Sequence, residues 1–218
     1  MDSAETETQE KNSGWQGWIW IRVLLFGSAG VGTGLLSCRV MLMGDARENA
    51  GIWVMAPGLV FGVFWLVAAW IPGALIVRPQ IRRSPIWSLA FLAGVTLSYV
   101  GAYYTAFYSA QYLDETMEWG KILPIAGALG GLPGSLGLVC MWSLLFQSVH
   151  SWFTKSLLTF CGVLLGTTLA VWDADQSDPA TLYLFFAIWQ GGMSLALAAI
   201  DATLRIRDRN GGGDYFQP

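Results

Sequence analysis

Six continuously apolar runs, each about 20 residues or longer, constrain this chain more than any other feature. They occupy residues 18–41, 52–77, 86–110, 121–146, 152–172 and 181–204. A helix needs roughly 20 apolar residues to cross ~30 Å of hydrocarbon, so each run is long enough to span a bilayer. Because the runs are apolar throughout and do not alternate, they do not read as strands of a β-barrel. The expected fold is all-α: a polytopic integral membrane protein with six transmembrane helices.

Composition agrees with that expectation. Hydrophobic residues make up 54% of the 218 positions, charged ones 12%, and the mean hydropathy is +0.49. The few charges cluster between the apolar runs, whereas a soluble domain of this size spreads charge over every exposed face. The lipid bilayer is therefore the first expected partner. No basic surface suited to nucleic acid occurs beyond short runs at the ends of spans.

Residues 1–14 carry Asp2, Glu5, Glu7 and Glu10 with Lys11. That is not the basic start of a signal peptide, and it reads as a disordered acidic tail ahead of a retained first span. Residues 15–207 form the expected transmembrane domain, and residues 208–218, with Gly211–Gly213, a flexible tail.

Orientation follows from the short connections. Lys11, Arg22, Arg78, Arg82, Arg83, Lys155, Arg205, Arg207 and Arg209 fall on one face if both termini are cytoplasmic, against Arg39, Arg47 and Lys121 on the other. The second face holds the acids Asp45, Glu48, Asp114, Glu115, Glu118, Asp173, Asp175 and Asp178, which would concentrate cations at an outer mouth. Trp15, Trp18, Trp20, Trp119, Trp152 and Trp172 sit near span ends, as interfacial anchors do. The six spans pair into three helical hairpins, and Phe26, Phe91 and Phe160 recur 65 and 69 residues apart in a loose repeat.

The fourth run is rich in small residues. Gly127 with Gly131, and Gly130 with Gly134, form overlapping small-xxx-small pairs that suit close helix packing, as do Gly30 and Gly34 in the first run. Pro133 lacks an N–H and frees a carbonyl one turn back, near Leu129. In lipid that carbonyl needs protein, water or an ion, and transporter sites are often built at such interruptions. In the third run Tyr104, Tyr108 and Tyr112 recur every four residues and line one face, with Tyr99 and Tyr103 rotated away from it. Gln190 is a mid-span amide that requires partners, and Asp201 is an intramembrane carboxylate placed to pair with Arg205 four residues on.

Catalytic and metal-centre readings fail for want of residues. His150 is the single histidine, which precludes a bis-histidine haem or a histidine-rich metal centre within the chain. Cys38, Cys140 and Cys161 show no paired spacing. Ser135 has no histidine at its depth, and no Walker or dinucleotide fingerprint is present. The sequence thus predicts a non-enzymatic protein without a metal or other cofactor. The expected role is a transporter or channel for a small solute or cation, a homo-oligomer or one subunit among others, in a bacterial-type plasma membrane. Its path would run between spans three, four and six, lined by Tyr104, Tyr108, Gly130, Pro133, Gly134, Gln190 and Asp201. The alternative is a non-catalytic structural or assembly subunit of a larger membrane complex.

Overall fold

The computed structural model describes residues 3–45, 53–71, 85–146, 152–171 and 179–210. It is helical: α1 (Ser3–Asp45), α2 (Ala56–Trp70), α3 (Pro85–Asp114), α4 (Trp119–Phe146), α5 (Trp152–Gly166) extended by a 3₁₀ turn (Thr167–Val171), and α6 (Pro179–Asn210). Each of these helices overlaps one apolar run, in order. Prolines mark the starts of α2, α3 and α6, where a missing N–H costs nothing and the fixed φ suits a first turn.

α1 begins at Ser3 and so takes in the acidic segment from residue 3 onward. One expectation needs correction: the second helix is shorter than its apolar run. α2 has 15 residues, about 22 Å at 1.5 Å per residue, and the chain is extended at Ile71 ahead of Pro72. Five helices are long and apolar enough to cross a membrane, and α2 is a shorter apolar helix beside them. Residues 46–52, 72–84, 147–151, 172–178 and 211–218, which include Arg78, Arg82, Arg83, His150 and the third acidic connection, lie outside the described residues.

Polarity is distributed as lipid demands. Leu24, Leu25, Leu89 and Leu97 point outward, 61–66% exposed, while Ser37, Ser135, Gln190 and Ser194 are fully buried. An apolar exterior around a small polar interior has no place in water and is at home in hydrocarbon.

Each helix packs against its neighbours in chain order, and α6 returns against α1 in the most extensive contact of the bundle. Neighbours run antiparallel. Ile19 and Val23 of α1 cluster with Ala198 and Ala202 of α6, so the start of the apolar part of α1 and the end of that of α6 lie together.

Glycine faces set these contacts. On α4, Gly127 and Gly131 lie against the backbone of Gly166 and Gly162 on α5, and Gly162 and Gly166 in turn lie against Ser135, Gly127 and Gly131. The other face of α4 meets α3: Gly130 against Ala102 and Ala106, Gly137 against Ser98. On α1, Gly30 and Gly34 lie against Gln190, Ser194, Phe186 and Ala187 of α6. α4 stays helical across Pro133. Beside that proline the Ser135 hydroxyl donates to the Gly131 carbonyl at 2.6 Å and lies 3.2 Å from the Thr159 carbonyl of α5, a polar tie between the two helices.

Gly131 and Gly101 make a test pair. A Cβ at Gly131 would stand 2.5 Å from the Gly162 carbonyl oxygen and 3.1 Å from Val163 Cα, whereas one at Gly101 meets nothing within 4 Å. Gly131→Val is expected to destabilise the bundle by about 1–3 kcal/mol or more. Gly101→Ala should be neutral or raise stability by up to about 1 kcal/mol. Thermal unfolding of both variants in the same detergent checks the contrast.

Candidate functional site

The centre of the bundle is aromatic. Trp65 of α2 stacks on Phe26 of α1 (5.2 Å between centroids, 4° between planes) and meets Trp142 of α4 edge-on at 4.6 Å. Toward the other end Tyr99 of α3 lies edge-on to Trp189 of α6 at 5.0 Å and against Phe61 of α2 at 6.0 Å. These rings fill the space where α2, α3, α4 and α6 converge.

Against this apolar wall stands one polar cluster contributed by four helices. Gln190 of α6 is fully buried, and its Nε2 donates to Ser37 Oγ of α1 at 3.0 Å and reaches the Pro57 carbonyl of α2 at 3.5 Å. Ser37 Oγ is also 3.3 Å from Gln190 Oε1. The Tyr99 phenol of α3 approaches the same amide. Its oxygen nevertheless reaches no partner of hydrogen-bond geometry among the described residues. Gln190 lies ten residues into the apolar segment Ala180–Thr203 and Tyr99 fourteen into Pro85–Asp114, so both sit ~15–21 Å from the segment starts, near the middle of the bundle.

The first turn of α2 opens at this level. Ala56, Pro57 and Gly58 are buried, and a Cβ at Gly58 would stand 2.7 Å from Thr96 Cα and 3.0 Å from Tyr99 Cβ. Met55 occupies the N-cap position and supplies no side-chain hydrogen bond. The first turn of α2, whose amides have no partner within the helix itself, is thus buried beside Tyr99, with its Pro57 carbonyl 3.5 Å from Gln190 Nε2.

The residues singled out in the sequence do not converge. Gln190 is at the centre. Gly134 lies nearby, its Cβ direction 3.1 Å from Ala102 Cβ and 3.5 Å from the Trp189 ring, so that ring fills the space beside it. Gly130 faces α3, and Pro133 is half-buried within a continuous helix. Tyr104 and Tyr108 point outward, 40% and 61% exposed, and stack on each other at 6.0 Å. They form an external ladder with Tyr103 and Phe107, themselves stacked at 6.1 Å. Asp201 is half-buried and engaged by a partner, well below Gln190 on α6, and the side chain of Arg205 lies outside the described residues.

Sequence reasoning missed Ser37, Pro57 and Tyr99 as members of the cluster. For Tyr99 a signal existed: Phe91, Val95 and Tyr99 recur every four residues, beside the small-residue stripe Gly94, Ser98, Ala102 and Ala106. A small-residue stripe marks the face that neighbouring helices cover, and Tyr104 and Tyr108 lie off it.

Among the described residues no group of three or more His, Cys, Asp or Glu is placed to hold a metal ion. No protein family, curated protein or solved structure matches this chain.

Burial separates the aromatic residues by role. Trp189→Ala, at a site 5% exposed, is expected to cost about 3–5 kcal/mol. Tyr108→Phe, at one 61% exposed, should stay within about 0.5 kcal/mol of wild type. Unfolding of both variants in mild detergent measures the difference.

Proposed function

We propose that the chain is a membrane transporter or channel for a small solute or cation, with its site at the Gln190 cluster and not along the Tyr104–Tyr108 face. The observation that carries this reading is the short helix α2, whose buried first turn opens near mid-depth against Gln190, Ser37 and Tyr99. Helices that begin inside the bilayer leave amides and carbonyls free to replace a solute's water, which is how many transport sites are built. A polar cluster in an otherwise aromatic interior is costly in hydrocarbon, and such groups mark functional positions. Six spans in three hairpins with both termini cytoplasmic, in a bacterial-type plasma membrane, complete the reading. It requires no cofactor and assigns no catalytic residue.

A second reading is a structural or assembly subunit of a larger membrane complex. The outward ladder of Tyr103, Tyr104, Phe107 and Tyr108 supports it, because rings already ordered against each other offer a large contact surface at low entropic cost. Purification at native expression, with mass spectrometry of every retained protein, separates the two. A lone or self-associated chain fits transport, and stoichiometric foreign subunits fit assembly.

Flux provides the direct test. Proteoliposomes of the wild type should pass glycerol, urea or a monovalent cation faster than protein-free vesicles. Gln190→Leu, confirmed folded by its elution profile, should return that rate to the vesicle background. Equal rates for wild type and empty vesicles across all these probes would contradict the transport reading.

A further inference from the structure

We propose that the buried first turn of α2 binds a water molecule between the Tyr99 hydroxyl, the Gln190 side chain and the α2 amides, and that the place admits small, uncharged, hydrogen-bonding solutes. The choice of solute rests on the transport reading, whereas the water site stands on geometry alone.

Two independent observations converge. The first is the helix start. Ala56, Pro57 and Gly58 are buried, Met55 provides no side-chain cap, and Pro57 has no N–H of its own. The amides of a first turn have no partner within the helix and must find one elsewhere when water and lipid headgroups are out of reach. The second is the Tyr99 phenol, 8% exposed and with an oxygen that meets no partner among the described residues. It lies beside Gln190, whose Nε2 reaches Pro57 in that same turn.

The donor and acceptor count favours water. The Gln190 amide protons are directed to Ser37 Oγ and the Pro57 carbonyl, and Oε1 lies 3.3 Å from Ser37 Oγ, which leaves at least one lone pair of Oε1 to accept. A water there can accept from the Tyr99 hydroxyl and from an α2 amide while donating to Gln190 Oε1. Those are the two to four polar partners that buried waters have in proteins. Phe61 and Trp189 wall the place with apolar surface.

Charge decides the class of solute. α2 carries no ionisable residue, Arg39 of α1 is exposed, and Asp201 stands about three turns along α6 from Gln190. An ion in this position would be uncompensated in a medium of low dielectric constant, whereas a neutral hydrogen-bonding molecule satisfies the donors without that penalty.

Radiolytic hydroxyl-radical footprinting of the full chain in lipid nanodiscs tests the proposal, because bound water generates radicals where bulk water does not reach. Tyr99 should be modified at a rate comparable with that of exposed Tyr108, and should incorporate ¹⁸O after exchange into H₂¹⁸O. Unmodified Tyr99 beside modified Tyr108 would overturn the site. A second readout is the Tm of Tyr99→Phe. A lowered Tm is expected if the hydroxyl holds water, and an unchanged or raised Tm would mean that the phenol oxygen has no partner, which also overturns it. Flux of glycerol and urea in the same preparation keeps the readings apart. Labelled Tyr99 with background flux supports the water site and counts against transport, and unlabelled Tyr99 with strong flux overturns the water site alone.

Discussion

The bundle depends on backbones coming into direct contact. Lipid tails are as apolar as leucine, so helices in a bilayer gain little from burying apolar side chains against one another. They associate through van der Waals contact and a few hydrogen bonds, both of which require close approach. Gly127, Gly131, Gly162 and Gly166 bring α4 onto α5, and Gly30 and Gly34 bring α1 onto α6. Gly130 and Gly137 do the same for α4 on α3. The glycine-rich fourth span is in this light a packing hub with two working faces. Pro133 is accommodated within it, with Ser135 hydrogen bonded to Gly131 and reaching Thr159.

Close packing at the seams leaves bulky side chains to fill the centre. Trp65, Trp142, Phe61, Tyr99 and Trp189 do so, and their edge-on and tilted arrangements fix the spacing of α2, α3, α4 and α6. Within that apolar interior Gln190 has few places to find partners. It reaches Ser37 on α1 and the Pro57 carbonyl on α2, and thereby ties the buried start of α2 to the α1–α6 seam. Because an amide in hydrocarbon is costly without partners, the arrangement specifies which helices meet and at what height.

The helical character and order of the spans were legible from hydropathy alone, since among the described residues the helices follow the apolar runs in turn, five of them long enough to cross a membrane. Facing was harder to read. Tyr104 and Tyr108 share a helical face, but a tyrosine can hydrogen bond inside a bundle or anchor in the headgroup layer, and periodicity does not distinguish the two. The small-residue stripe from Gly94 to Ala106 carried that information, because it identifies the covered side of α3 and places Tyr99 at its edge. The short extent of α2 left no trace in the apolar run, which continues on both sides of Pro57 and past Trp70. The partnership of Ser37 with Gln190 spans 153 residues and depends on how α6 returns to α1, which no local pattern encodes. Context decides at Pro133 too: a proline signals a freed carbonyl, and neighbouring helices and serine hydroxyls decide what becomes of it.

Gln190 joins α6 to α1 and to the start of α2 through hydrogen bonds buried near the middle of the bundle. A double-mutant cycle of Ser37→Ala and Gln190→Leu, read by reversible unfolding in detergent, tests it most directly. Coupling of about 0.5–2 kcal/mol between the two changes is predicted, with the double variant recovering part of what each single variant loses. Strict additivity, within about 0.3 kcal/mol, would contradict the claim.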